Sequence, residues 1–280
     1  MILLDNSQII LANLFQSLKE QPTINEDFIR HMVLNSYRML RKKFAKEYGE
    51  LVICHDSPNS WRKTYFPYYK QNRKDKQKSS EFDWDMIYQC MKNIRIEIEE
   101  VFPYRNMKID GAEADDIIAI LAMHNHLQEK IVIVSNDKDF QQLQMFTNVK
   151  QYSIFKKEFL TCSNPKMFLY EHIIKGDASD GVPNILSVDS CIVDKDKRQS
   201  KITKKVIEDV LSCLNTVETS MYAKNWERNQ TLIDFTSIPQ ELTDKILNLY
   251  NTQSNKNSGK ILNYMIEHKL VNLIDSIQEF

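Results

Sequence analysis

An α/β fold built on a parallel sheet is predicted by three features of the sequence. Three short apolar runs rich in β-branched residues, Ile2–Leu4, Leu51–Cys54 and Ile131–Val134, are each followed closely by an aspartate: Asp5, Asp56 and Asp137. Their apolarity is continuous rather than alternating, as in strands covered on both faces. Helical stretches separate them, and chain-breakers are scarce, with 5 glycines and 7 prolines in 280 residues, so helix should dominate.

In chain order, the first strand is followed by a helical stretch from Asn25 to about Tyr48, with apolar residues at Phe28, Met32, Leu40 and Phe44. After the second strand, Trp61 to Ser80 breaks the rhythm. From Arg62 to Lys78 it holds 7 basic residues against the single acid Asp75, interleaved with Tyr65, Phe66, Tyr68 and Tyr69. A second helix is expected from Asp83 to about Val101. Beyond Asp137 come a helical turn (Phe140, Leu143), a hairpin (Tyr152–Phe155 with Glu158–Thr161) and a helix ending near Lys175. The pattern from there to Phe280 is helical, with a polar loop at Thr252–Gly259. Strand, helix, strand is the βαβ unit, and open sheets bind ligands outside the carboxyl ends of their strands. The three aspartates lie at that edge. Residues 1–175 are expected to form the α/β core and 176–280 a mostly helical lobe.

Several function classes are excluded. No apolar run approaches the length of a membrane span, and no basic leader precedes an apolar stretch at the N-terminus, so no membrane role and no signal peptide are expected. Five scattered cysteines without a C-x-x-C pair argue against a disulfide framework or a structural zinc site and suit a reducing cytosol. The net charge of -1 hides a local excess of positive charge in the 61–82 segment.

The remaining carboxylates fall in three clusters: Asp110-Gly-Ala-Glu113-Ala-Asp115-Asp116, Asp137-Lys-Asp139 and Gly176-Asp177-Ala-Ser-Asp180-Gly181. Capping is the plain reading of each. Asp110 and Glu113 have capping-box spacing, and Asp137, Asp177 or Asp180 could close turns. Capping leaves unexplained why so many anions gather at one edge, where their repulsion calls for cations. Oxygen donors without cysteine or histidine suit Mg²⁺ or Mn²⁺ better than Zn²⁺. Two such ions about 4 Å apart can stabilise the attacking and leaving oxygens of a phosphodiester, chemistry that needs no side-chain nucleophile. None of the six histidines, His55, His124 and His126 among them, is expected to hold a metal.

Tyr69-Lys70-Gln-Asn-Arg73, Glu113-Ala-Asp115-Asp116, Asp137-Lys-Asp139-Phe140 and Gly176-Asp-Ala-Ser-Asp180-Gly181 occur in that order. The set resembles the signature of the 5′-nuclease (flap endonuclease) superfamily over nearly the whole chain. The layout from Leu4-Asp5 to the final Gln-Glu-Phe is similar to its ribonuclease H branch of T-even bacteriophages. The resemblance implies a PIN-like parallel-sheet core, a basic arch at about 61–82 and a duplex-binding C-terminal lobe. It implies a phosphodiesterase that removes nucleotides from 5′ ends and cuts 5′ flaps of DNA and RNA·DNA duplexes, as in clearing lagging-strand primers during phage replication. Two Mg²⁺ ions, replaceable by Mn²⁺, would lie among Asp5, Asp56, Glu113, Asp115 and Asp137 on one side and Asp139, Asp177 and Asp180 on the other. Asp116 would support them without direct contact.

By the same resemblance Lys70 and Arg73 would reach the scissile phosphate as catalytic residues. Arg62, Lys63, Tyr69, Lys74, Lys201, Lys204 and Lys205 would contact nucleic acid; a solvated basic loop is the plain alternative for the arch. The family's second glycine-rich turn is missing after Val182-Pro183-Asn184-Ile185, which argues against a monovalent-cation site. In its place runs Asp194–Lys205, with 6 basic and 2 acidic residues. A monomer without an N-terminal partner-binding tail is expected, working in the cytoplasm of an infected host if phage-encoded, with a single-stranded-DNA-binding protein as a candidate partner. A PIN-like endoribonuclease would share the carboxylate edge but leave 176–280 unexplained. A non-catalytic duplex-binding protein would use the carboxylates only as caps.

Overall fold

The computed structural model describes residues 1–20, 23–78, 80–194, 196–214, 221–253 and 258–280. The polar loop expected at Thr252–Gly259 and Lys195 of the basic stretch fall largely or wholly outside them.

The first half of the chain runs β1 (Ile2–Asp5), α1 (Asn6–Glu20), α2 (Glu26–Tyr48), β2 (Leu51–Cys54), α3 (Trp61–Tyr65), α4 (Gln71–Lys78), α5 (Trp84–Val101), β3 (Arg105–Met107) and α6 (Ala114–Asn125). It continues through β4 (Ile131–Val134), β5 (Val149–Ser153), β6 (Glu158–Leu160), α7 (Pro165–Lys175), α8 (Lys204–Ser212), α9 (Ala223–Ile233), α10 (Gln240–Thr252), α11 (Ile261–Glu267) and α12 (Val271–Ile274). Local chemistry sets the long helices. The Asn25 and Asp83 side chains accept from the N–H groups of Phe28 and Met86 at 3.0 Å, satisfying donors that open α2 and α5. Gly49, at φ +83°, ends α2.

The strands form one sheet in the order β3-β2-β1-β4-β5-β6, parallel except for β6, which pairs antiparallel with β5. Successive residues alternate between two covered faces. Ile2, Leu4, Ile53 and Val134 pack with α1, α2 and α5, whereas Leu3, Val52 and Ile133 pack with α6 and α10. Both sets are apolar, so the strands read as continuous runs. The chain leaves β1 first toward β2 and β3, then returns to β4 and β5 on the other side. That reversal makes β1/β4 the topological switch point, where the carboxyl ends open a crevice.

Two features depart from expectation. β3, with the sequence Arg-Asn-Met, carries no β-branched residue and was invisible to the apolar-run criterion. The C-terminal part is also not a single lobe divided from the core at 175/176. Leu242 and Ile246 of α10 complete one face of the sheet. Ile261, Tyr264, Met265, Leu273 and Phe280 complete the other. The part with its own core joins α7, α8 and α9 to the arch base through Phe66, Tyr69, Ile173, Val182, Val210 and Trp226. No helix among the described residues is long and apolar enough to cross a membrane.

Candidate active site

The crevice gathers carboxylates from separate elements. Asp5 ends β1, and its Oδ1 accepts the Gln8 N–H at 3.2 Å. Asp56, beyond β2, ties the starts of two helices together, accepting from Ser7 Oγ at 2.5 Å and from the Ala114 N–H at 2.9 Å. Asp115 lies in the first turn of α6. Asp137 follows β4 and caps the 3-10 turn Lys138–Met145 by accepting the Asp139 N–H at 2.9 Å. Asp177 likewise accepts the Ser179 N–H at 2.8 Å. Capping and clustering therefore coexist: one oxygen closes a turn while the carboxylate still faces the crevice.

Protonation shows what these groups lack. Burial, then Asp56 and Asp137, pushes Asp5 from the usual 3.8 up to about 7. Burial and then Asp137 hold Asp115 and Asp139 well above the ordinary range, and burial also raises Asp137. A cation among these groups would relieve the same repulsion. The donor set fits hard divalent ions.

A second group of anions is already paired. Glu113 sits among Lys70 Nζ at 2.6 Å, Tyr69 Oη at 2.9 Å and Arg62 Nη1 at 3.2 Å. Burial would raise its pKa, but Lys70 and Arg62 outweigh it and hold it at about 2. Asp180 is engaged by Arg73, by Tyr69 Oη at 3.0 Å and by Lys70 at 3.5 Å. Asp116 accepts the Glu113 N–H at 2.9 Å and pairs with Arg62 at 2.7 Å. The capping box that opens α6 is thus Glu113/Asp116, three residues later than the Asp110/Glu113 spacing suggested.

These contacts bear on three expected roles. Glu113 lines one cavity with Asp56 and also pairs with Lys70, Tyr69 and Arg62, so it anchors the arch base. Arg62 cannot contact nucleic acid, because it is 2% exposed and its guanidinium is divided among Glu113, Asp116 and the Leu232 carbonyl at 2.9 Å. Tyr69 offers no stacking face, since its ring lies in the arch-base core and its hydroxyl points into the carboxylates.

Lys70 is held in an unusual backbone conformation. Its φ of +55° lies in the left-handed region that disfavours a side chain, and its N–H donates to the Asp180 carbonyl at 2.7 Å. Gly181, at φ +75°, allows that approach: a Cβ there would meet the Tyr68 carbonyl oxygen at 2.8 Å. The result is a cavity of about 520 Å³ lined by Asp56, Lys63, Lys70, Arg73, Gln77 and Tyr88. Lys63 is exposed at its rim. The side chain of Lys74 lies outside the described residues. Lys201, Lys204 and Lys205 are exposed, with Lys204 and Lys205 in the first turn of α8.

One residue of the site was missed. His172, on α7 and 6% exposed, places Nε2 3.3 Å from Asp177 Oδ2 and Nδ1 3.4 Å from Asp139 Oδ1. No histidine was expected at a metal site, yet Asp139, His172 and Asp177 bring three potential donor atoms within reach of one ion. Only its place five residues before Asp177, on the helix that leads into the Gly176–Gly181 turn, could have signalled it. His55 by contrast is structural, buried between Asn6 and Asn106 at 3.0 Å each and pushed down to about 4 by burial.

Comparison with known proteins bears on this geometry. Residues 1–171 match the family model described as 5′-3′ exonuclease, N-terminal resolvase-like domain, and residues 163–280 match T4 RNase H, C terminal. The chain is 31% identical over 289 aligned positions to the ribonuclease H of Enterobacteria phage T4, covering 99% of this chain and 95% of that one. It is 29% identical to the flap endonuclease Xni of Shewanella sp. (strain ANA-3) over 49% of this chain and 52% of the relative. A bacteriophage T5 protein co-crystallised with metal ions superposes with a TM-score of 0.63 at 16% identity, covering 89% of this chain and 98% of that one. A bacteriophage T5 flap endonuclease in a pseudo-enzyme–product complex with DNA and metal ions gives 0.64 at 16%, over 90% and 99%. With family models spanning the sheet, the arch and the C-terminal helices, the chain belongs to the 5′-3′ exonuclease family and is a phosphodiesterase of that family.

Proposed function

We propose that the chain is a divalent-metal-dependent 5′ nuclease that trims 5′ ends and cuts 5′ flaps of DNA and RNA·DNA duplexes, with removal of RNA primers in phage replication as its setting. One observation carries the reading: mutually repelling buried carboxylates, Asp5, Asp115 and Asp137, gather at the β1/β4 switch point, and Asp56 beside them lines a cavity together with Glu113, Lys63, Lys70 and Arg73. The curated relative named ribonuclease H and the T5 flap endonuclease solved with DNA and metal ions support the substrate class.

Asp5, Asp56, Asp115 and Asp137 would hold one Mg²⁺ or Mn²⁺ and Asp139, with its neighbours near Asp177, a second. When bound, such ions stabilise negative charge on the attacking and leaving oxygens of a phosphodiester. Lys70, fixed in its strained backbone, would meet charge developing on the scissile phosphate, and Arg73 would orient it from the arch. Both cations now rest on Glu113 and Asp180, so substrate phosphate competes for partners already in place. Lys201, Lys204 and Lys205 would grip duplex phosphates. Lysines in the first turn of a helix oppose its dipole, so their place on α8 is not explained by helix stability. No monovalent-cation site is proposed. The protein would act as a monomer in the cytoplasm of the infected host, with a single-stranded-DNA-binding protein as a partner.

The decisive experiment is a 5′-labelled flapped or nicked duplex incubated with Mg²⁺, with Mn²⁺ and with chelator. Metal-dependent release of 5′ products is expected. Intact substrate under every metal condition would overturn the reading.

A further inference from the structure

We infer that His172 is itself a metal ligand, positioned by Asp177, and that its nitrogen makes the Asp139 side of the crevice prefer Mn²⁺ and later first-row ions over Mg²⁺. The inference rests on the divalent-metal reading above and assigns a ligand that no carboxylate motif contains.

The contacts around the ring are unequal. Asp177 is saturated by its own chain: Oδ1 accepts from the Ser179 N–H at 2.8 Å and Ser179 Oγ at 2.5 Å, while Oδ2 meets Lys138 Nζ at 3.0 Å and His172 Nε2 at 3.3 Å. Among the described residues neither ring nitrogen makes a hydrogen bond, and the difference lies in the carboxylates: Asp139 Oδ1, 3.4 Å from His172 Nδ1, is buried without a partner, whereas Asp177 is held by Lys138 and Ser179. A proton on Nε2 would face the held carboxylate Asp177 and leave the Nδ1 lone pair sharing a space with the orphan oxygen of Asp139. Two buried acceptors facing each other are unfavourable unless a cation lies between them.

That is the carboxylate–imidazole–metal arrangement, in which an outer carboxylate fixes the tautomer and orientation of the ligating ring. Two ligands about 2.1 Å from one ion are roughly 3.0 Å apart at an octahedral angle and 3.4 Å at a tetrahedral one, so closing this gap by about 0.4 Å would seat an octahedral Mn²⁺. Mg²⁺ takes oxygen donors and octahedral geometry, whereas imidazole suits softer divalent ions. A mixed donor set therefore discriminates where an all-carboxylate set would not. The rival structural role is a protonated ring bridging Asp139 and Asp177 with no metal contact.

The test uses the full chain, stripped of metal and without DNA. Mn²⁺ and Mg²⁺ are titrated separately by calorimetry, and the Mn²⁺-loaded protein is examined by pulsed electron paramagnetic resonance for ¹⁴N coupling. The wild type should show ¹⁴N coupling. His172→Gln should lose it, weaken one Mn²⁺ site by about 10- to 100-fold and change Mg²⁺ binding far less. Asp177→Asn should retain the coupling with weaker Mn²⁺ affinity, as expected of a positioning residue. Saturating Mn²⁺ without ¹⁴N coupling in the wild type overturns the inference whether or not the variants fold. Equal weakening of Mn²⁺ and Mg²⁺ in folded His172→Gln also overturns it. Failure of the nuclease reading looks different: no cleavage with any divalent ion, whatever the coupling.

Discussion

Two sets of acids share the crevice and behave in opposite ways. Asp5, Asp115, Asp137 and Asp139 are raised by burial and mutual repulsion, with Asp5 at about 7. Glu113 and Asp180 face the same space but are matched by Lys70, Arg73, Arg62 and Tyr69. In sequence all are acidic letters in neighbouring motifs. The difference teaches that acids in neighbouring motifs need not share one electrostatic state: a carboxylate already matched by fixed cations has less need of another.

The largest expected effect tests that division directly. Asp139→Asn should lower the single-turnover cleavage rate by about 10³-fold, since it removes an unmatched anion that would hold a metal, while duplex affinity stays equal or rises. Glu113→Gln should act only through a looser Lys70, costing about 10-fold. If the two variants fall equally, paired and unpaired acids are equivalent and the comparison fails. Lys70→Ala stands between them, with about 10²-fold lost at saturating substrate, because it would touch the phosphate where Glu113 would not.

A smaller effect is expected in stability against pH, measured by thermal melts with chelator or with Mn²⁺. Asp5, at about 7 when folded, binds more protons in the native than in the unfolded state between about pH 4 and 7. Its contribution is complete below that window and is lost as pH rises through it, and the raised Asp115, Asp137 and Asp139 act in the same direction. Glu113, at about 2, works the opposite way, contributing above the ordinary carboxylate range and losing that contribution only as pH falls toward 2. Metal binding requires the charged carboxylates, so Mn²⁺ at 100 times its Kd should raise the melting temperature by about 5 to 10 °C at pH 8 and much less at pH 5. An equal rise at both values would mean that the raised acids are not the ligands.

How far the sequence was legible follows the same line. Asp5, Asp56 and Asp137 could be placed because each ends or follows a strand, and strand ends converge by topology alone. Roles that depend on distant partners could not. Arg62 reads as one cation of a basic run, yet its partners Glu113 and Asp116 lie more than 50 residues away and bury it. Tyr69 reads as an aromatic among lysines, but α7, α8 and α9 close over its ring. His172 lies outside every acidic motif and reaches the site only because α7 packs against the turn after Asp137. β3 carries a single apolar residue, Met107, too few to form an apolar run, and the division of the C-terminal helices between both faces of the sheet is a packing outcome that no local pattern encodes.

The smallest effect concerns two groups of cations. Lys70 is partly buried, ion-paired and fixed by its backbone, whereas Lys201, Lys204 and Lys205 are exposed on and before α8. A fixed, desolvated cation can act on charge as it develops; an exposed one mainly displaces counterions from the duplex. Replacing Lys201, Lys204 and Lys205 together by Ala should therefore weaken duplex binding uniformly across sequences and flatten log affinity against log salt by roughly 0.9 per lost contact. The rate at saturating duplex should change by less than about twofold. Lys70→Ala should give the reverse profile, with a lower rate and a nearly unchanged slope. Binding isotherms over a salt series, run beside single-turnover assays of both variants, decide the matter. Matching profiles would make both regions generic phosphate grips and remove the catalytic role proposed for Lys70.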